Sequence, residues 1–418
     1  MRPRVRRTPG SSPAHDTRPR RARESPARTR TPGGAVVTDP FRTPERQELR
    51  RTVRRFVEAE VLPHQDCWER DGELPRWLHR KAGEIGLLGV AFPEEAGGGG
   101  GDIVDTIVLG EEMHYAGASG GLFASLLTCG IALPHIVAAG DAAQVGRWVR
   151  PTLAGEAIGA LAVTEPGGGS DVAGLRTTAE RDGDHLVVNG AKTFITSGCR
   201  ADFVTTAVRT GAPGAHGISL LVVERGTPGF EVSRRLDKMG WQCSDTAELS
   251  FVDCRVPAAN LVGAQDSGFV QIAQHFLTER IMLAVQAYAG AQRALDLTVS
   301  WCRMRETFGR PLISRQLVRH TLVEMARKVD VARSYVHDVA RRHLAGDDVV
   351  AEVCFAKNTA VEAGTWVVDQ AVQLHGGAGY MRESEVERQY RDMRILGIGG
   401  GTSEVLAELA AKRKGFVA

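Results

Sequence analysis

Four short stretches of this 418-residue chain have residue types and spacings that could do chemistry. The first is Ala162-Val163-Thr164-Glu165-Pro166-Gly167-Gly168-Gly169-Ser170-Asp171. Glycine-rich loops expose backbone N–H groups, which suits phosphate or flavin oxygens. No Gly-Lys-Ser/Thr closes the run, and it does not match Gly-x-Gly-x-x-Gly, so neither common nucleotide loop applies. The second, Arg305-Glu306-Thr307-Phe308-Gly309-Arg310-Pro311, pairs a phosphate-binding candidate with a hydroxyl. The third, Gln373-Leu374-His375-Gly376-Gly377-Ala378-Gly379-Tyr380, permits close backbone approach. Each of these three, taken alone, reads equally as a turn. The fourth is Phe276-Leu277-Thr278-Glu279-Arg280-Ile281-Met282-Leu283. On a helix, Glu279 falls beside Phe276, Met282 and Leu283. A carboxylate on an apolar stripe is costly to bury unpaired, and desolvation raises its pKa, which suits a general base. The competing reading is an ion pair or an ordinary exposed glutamate.

The elements that must position these stretches change character along the chain. Residues 40–157 read mostly as helix: Leu49, Val53, Phe56 and Val57 share one face, Pro63 limits that helix, and Pro75 begins the next. Near Leu161 the period changes. Leu186 to Ile195 reads as strand, Asn189-Gly190 turn, strand, and Phe230 to Val256 as short strands broken by Gly240 and Asp253. From Gly268 the pattern is helical again, over Phe269–Met304, Leu317–Ala345 and Val349–Leu374. Thr402 or Ser403 caps a last helix to Arg413. The expected domains are 1–39, 40–157, 158–267 and 268–418.

Composition excludes several classes. Lys and Arg number 52 against 50 Asp and Glu. Ten of those Arg lie in residues 1–39 with three acids, so the body is mildly acidic, unlike a nucleic-acid binder. The seven Cys are scattered without Cys-x-x-Cys, which suits a reducing compartment and gives no metal site. Seven Lys against 45 Arg reads as genomic composition bias of a bacterium. Tyr115 to Gly140 carries no Asp, Glu, Lys or Arg, but its glycines, Pro134 and His135 mark it as buried core rather than a membrane span. Residues 1–39, rich in Arg and Pro, are expected to be a disordered tail. A neutral extension and a mitochondrial presequence are its competing origins, and a secretory signal is excluded for want of an apolar segment. The expected compartment is the bacterial cytoplasm, ahead of the mitochondrial matrix.

The three loops together, with Arg391-Asp392 and Gly401-Thr402-Ser403-Glu404, resemble the acyl-CoA dehydrogenase family in order and spacing from about Thr43 to Arg413. The resemblance implies an α+β fold: an N-terminal helical domain, a middle β-barrel-like domain and a C-terminal four-helix bundle. It implies a homotetramer, a dimer of dimers, with FAD between the β unit and the C-terminal helices. The implied reaction is α,β-desaturation of an acyl-CoA, with electrons passed to an electron-transfer flavoprotein. Carried over by motif, Leu161, Val163, Thr164, Gly169 and Ser170 would lie along the flavin, with Ser170 near pyrophosphate or substrate. Phe194, Ile195 and Thr196 would flank the isoalloxazine. Arg305, Thr307, Phe308, Gln316, Gln373, Gly376 and Gly377 would hold the adenine and diphosphate end, partly across a subunit interface. Thr402 and Glu404 would complete the site.

Two departures shape the expected catalysis. Phe194 stands where many members have Trp; it still packs on a flavin but lacks the indole N–H. More important, short- and medium-chain members carry the catalytic Glu immediately before Gly-Thr, where this chain has Gly400. Isovaleryl- and long-chain-type members place the base in a Glu-Arg pair early in the C-terminal domain, which corresponds to Glu279-Arg280. The Gly400 N–H would then act as an oxyanion donor, and Arg280, Gly399 and Gly401 would contact substrate. The glycines are expected to leave room for a branched or thick acyl chain, and a Glu returned to position 400 to restore some activity. The competing functions are an acyl-CoA oxidase using O2, a dehydrogenase acting on an acyl carrier protein, and an inactive flavin-binding scaffold.

Overall fold

The computed structural model describes residues 39–417. The expectation for the tail falls on residues 1–38, outside them. The first helix, Pro44–Phe56, is set by Thr43, whose hydroxyl accepts the Arg46 N–H at 3.3 Å, and by Pro44 at its first position. Val53, Phe56 and Val57 are buried, and the chain continues in a wider turn to Val61, ahead of Pro63. The helix Ile103–Ala116 opens on a capping box of Asp102 and Asp105, and Arg46 binds both carboxylates. The uncharged stretch that follows folds as Gly120–Leu126, Cys129–Ala132 and Pro134–Ala139. No single helix among the described residues is long and apolar enough to cross a membrane.

The middle of the chain is a curled sheet of β1 (Gly159–Ala162), β2 (Thr178–Asp182), β3 (His185–Thr196), β4 (Phe203–Arg209), β5 (Ile218–Glu224), β6 (Phe230–Arg235) and β7 (Thr246–Pro257). The order is β1-β4-β2-β3-β7-β6, with β5 paired to β4. Val188, Val208, Leu221, Leu249 and Phe251 fill its interior. Two expected strand breaks are corrected here. Asn189-Gly190 is not a hairpin turn but lies inside β3, and Asp253 does not end a strand but lies inside β7. They face each other across the pair: the Asp253 N–H donates to Asn189 Oδ1 at 2.8 Å, and Asn189 Nδ2 donates to Asp253 Oδ1. The side-chain amide replaces the ladder bond that the irregular register gives up. The true hairpin turn is Gly183-Asp184, between the paired Asp182 and His185.

The C-terminal layer consists of Gly268–Met304, Gln316–Leu344, Val350–His375, the short Glu385–Met393 and Ser403–Arg413. Thr402 caps the last, accepting the Val405 N–H. One buried carboxylate ties all three layers together. Asp392 accepts the Trp241 N–H from the sheet layer at 2.6 Å and the Gly120 N–H from the N-terminal helices at 3.2 Å. Burial, with Glu69 nearby, pushes its pKa up to about 7.

Candidate active site

Glu279 lies on the helix Gly268–Met304, half-buried, beside the loop Gly399–Gly401. A Cβ added to Gly400 would sit 3.6 Å from Glu279 Oε1. The two positions that the sequence offers for a base are therefore one place in space. Among the described residues Glu279 makes no hydrogen bond or ion pair. Burial raises its pKa, while Arg280 and Lys357 pull it back down.

The loop beside it is held by two cations. Arg280 Nε donates to the Gly400 carbonyl at 3.1 Å. Lys357 Nζ donates to the Gly401 carbonyl at 2.7 Å and to the Gly399 carbonyl. Gly400 and Gly401 have φ of +64° and +100°, where side chains are strained. The expectation that glycine at 400 leaves empty room is corrected: Leu283 already occupies the space in front of it. The 399 position is more open, with the Ile395 carbonyl 3.6 Å from an added Cβ. Lys357 was missed by sequence reasoning. It had the same signal as Glu279: a charge within an apolar helical run, beside Cys354, Ala360 and Val361.

The first glycine loop leaves the end of β1, where Leu161 pairs with Thr205. Its anchor is Glu165, which accepts N–H bonds from Arg176 at 2.7 Å and Thr177 at 2.8 Å and pairs with Lys192 at 2.9 Å. Burial opposes the charge on Glu165, but Lys192 and the N–H donors hold its pKa down to about 2. Lys192 is wholly buried and also donates to the Val163 carbonyl. The Thr193 N–H binds the Thr164 carbonyl at 2.9 Å, which brings β3 against the loop. Gly167, Gly168, Gly169 and Ser170 are exposed at its tip. A register shift between Lys192 and Ile195 gives Phe194 a φ of +61° and turns its ring outward, 67% exposed, while Ile195 stays in the core. Thr196 ends β3 half-buried.

A second cluster lies at the far end of the bundle. Arg305 follows the helix Gly268–Met304, and Glu306-Thr307 pairs with Arg310-Pro311 around a Phe308-Gly309 turn. Phe308 is 96% exposed. Arg315, also missed from sequence, binds the Thr307 carbonyl and hydroxyl and lies over the Phe308 ring. Gln316 begins the next helix, and Gln373, Gly376 and Gly377 end the third. Trp301 stacks on His375, which joins the two loops. Arg305 follows Glu279 by 26 residue steps, roughly 39 Å at 1.5 Å per step along the helix. Besides the loop after β1 and the end of β3, the structure divides the expected site residues into two clusters. One holds Glu279, Arg280 and the 399–404 loop, with Glu404 exposed beside its cap Thr402; the other holds Arg305, Thr307, Phe308, Gln316, Gln373, Gly376 and Gly377.

The architecture is a helical layer, a curled sheet and a helical bundle, with glycine loops and a carboxylate among the expected site residues. Family models for the N-terminal, middle and C-terminal domains of acyl-CoA dehydrogenases match residues 43–156, 160–254 and 266–415. The chain is 38% identical over 394 residues to the mitochondrial long-chain specific acyl-CoA dehydrogenase of Rattus norvegicus, covering 93% of this chain and 91% of that protein. It is 68% identical to a solved Mycobacterium smegmatis chain assigned to the acyl-CoA dehydrogenases, with a TM-score of 0.90 over 90% of this chain and 100% of that one. A glutaryl-CoA dehydrogenase from M. smegmatis, solved in complex with FADH2, is 26% identical with a TM-score of 0.85, covering 91% and 97%. This chain belongs to the acyl-CoA dehydrogenase family. It is an FAD-dependent oxidoreductase acting on CH–CH bonds.

The residues present fit that cofactor. Phe194 and Phe308 hold apolar rings out to solvent, an arrangement that favours a covering aromatic ligand. A Cβ added at Gly167, Gly168, Gly376 or Gly377 meets nothing of this chain within 4 Å, so their backbones are open to a ligand.

Proposed function

We propose that this enzyme oxidises an acyl-CoA at Cα–Cβ with Glu279 as the base, and that a complete site needs two copies of the chain. The observation that carries the first part is the position of the Glu279 carboxylate beside Gly400, raised in pKa by burial. Val163, Thr164, Ser170, Phe194 and Thr196 would hold FAD, which would supply the acceptor for the β-hydride. Glu279 takes the α-proton onto its carboxylate. The Gly400 N–H would donate to the thioester oxygen and favour the enolate, which makes that proton acidic. Arg280 fixes the carbonyl side of the same residue, and the surrounding Phe276, Met282 and Leu283 exclude water.

The second part rests on length. A cofactor lying against Phe194 and Glu279 does not also reach the Arg305 cluster of its own chain. Arg305, Thr307, Gln316, Gln373, Gly376 and Gly377 therefore serve a neighbouring copy, which fits a homotetramer built as a dimer of dimers. Electrons leave to an electron-transfer flavoprotein. The Gly399 side of the loop, where space is open, favours a substrate bulky near its thioester.

The test is anaerobic flavin bleaching against acyl-CoAs of varied length and branching. Glu279→Gln should keep FAD and slow bleaching on the order of 10²–10⁴-fold, the size of a lost general base. Bleaching at the wild-type rate would remove Glu279 from the reaction.

A further inference from the structure

We propose that Lys357 is a positioning residue for this reaction: it aims and polarises the Gly400 N–H. This rests on the reading of Glu279 as base and of the Gly400 N–H as oxyanion donor.

A trans peptide places its C=O and N–H on opposite sides. Lys357 Nζ binds the Gly399 carbonyl, so the Gly400 N–H of that peptide points away from Lys357. The Gly400 carbonyl is taken by Arg280, and the Gly401 carbonyl returns to Lys357. Three successive carbonyls are thus fixed by two cations. Three glycines have little conformational preference of their own, so these bonds decide where the N–H points.

The cation also acts through the peptide. An ammonium on the Gly399 oxygen withdraws electron density from the amide and makes its N–H a stronger donor, as in any hydrogen-bond chain. Lys357 is 1% exposed and bonds only to carbonyls, an expensive place for a charge that had no other role. The groups that face it are Glu279, Arg280 and Cys354. Burial lowers its pKa to about 8, and Glu279 opposes that fall. The same attraction lowers the pKa of Glu279.

The experiment separates proton removal from hydride transfer. A 3-thia-acyl-CoA has an acidic α-proton but a sulfur in place of the β-carbon, so it has no β-hydride to give. Its enolate is read by the long-wavelength charge-transfer band against oxidised flavin. Lys357→Met should keep its melting temperature within a few degrees and its FAD content. It should form the enolate about 10–100-fold less, somewhat below the loss for deleting an oxyanion donor outright. The acid limb of its kcat/KM profile should move to higher pH, because a positive charge has left the side of Glu279. Lys357→Gln keeps N–H donors without the charge. It should recover part of the enolate band while leaving the acid limb shifted.

Wild-type enolate formation and an unmoved acid limb in folded Lys357→Met would overturn the proposal. Unfolding of both variants would do the same, by making Lys357 a residue of the fold alone. Glu279→Gln in the same assay separates the two readings. If it still forms the enolate, the base assignment fails. If it does not, a wild-type result for Lys357→Met overturns only the role of Lys357.

Discussion

Leu283 Cδ1 lies 2.5 Å from where a Cβ on Gly400 would stand, well inside van der Waals contact. Gly400 itself has a φ of +64°. At the position that holds the base in short- and medium-chain members, this chain has a crowding leucine and a left-handed backbone, besides lacking the carboxylate. Leu283 is one turn beyond Glu279 on the same helix, so one element carries the proposed base and crowds the alternative position.

A double variant tests that relationship. Gly400→Glu placed in Glu279→Gln should give no recovery of anaerobic flavin reduction, because the new side chain has no room. Adding Leu283→Ala opens that room and should recover activity, best with unbranched acyl-CoAs. Recovery without the leucine change would show that the loop moves freely and that Leu283 does not close the site.

The sequence made the family, the helix–sheet–helix plan and the carboxylate legible, because glycine loops and an apolar-flanked Glu are local patterns. It misread Asn189-Gly190 and Asp253, since the rule for hairpin turns does not know what lies across the sheet. Those residues satisfy each other in mid-strand, and neither needs a turn. Lys357, Lys192 and Asp392 were also missed as organisers. Their partners are backbone groups 29 or more residues away, and only folding makes such contacts visible.

Removing the cation under the first glycine loop should damage the protein in a specific way. Lys192→Met leaves the Glu165 carboxylate without its buried partner. Breaking one side of a buried pair costs about 3–5 kcal/mol. Lower thermal stability and a reduced flavin-to-protein ratio are expected together, because Lys192 also holds the Val163 carbonyl. An unchanged melting temperature with full FAD would show that the loop does not depend on the pair.

Acid should act on the same anchor. The Glu165 pKa is depressed to about 2 from an ordinary value of 4.5. Its contribution is fully present above about pH 4.5 and is lost as pH falls toward 2, because the unfolded chain takes up that proton first. Melting temperatures measured from pH 6 to pH 2 should fall in that window. Glu165→Gln should be less stable at neutral pH and show a shallower acid decline. Parallel declines in the two proteins would assign acid sensitivity to other carboxylates.

The distance between the two clusters gives the last prediction. Arg305 lies roughly 39 Å along one helix from Glu279, and the proposed shared site would draw Glu279 from one copy and the 305–377 cluster from another. A Cβ at 377 meets nothing of its own chain within 4 Å, so Gly377→Leu should fold normally and lose FAD because it fills the cofactor's space. Glu279→Gln should hold FAD but reduce it slowly. Neither variant is active alone. Co-expressed, they pair so that some sites combine an intact Glu279 with an intact Gly377. For random pairing in a twofold dimer that fraction is about a quarter of all sites, with a matching return of activity in the mixed oligomer. If the mixture stays as inactive as its parts while mixed oligomers form, each chain completes its own site and the sharing of residues between copies is wrong.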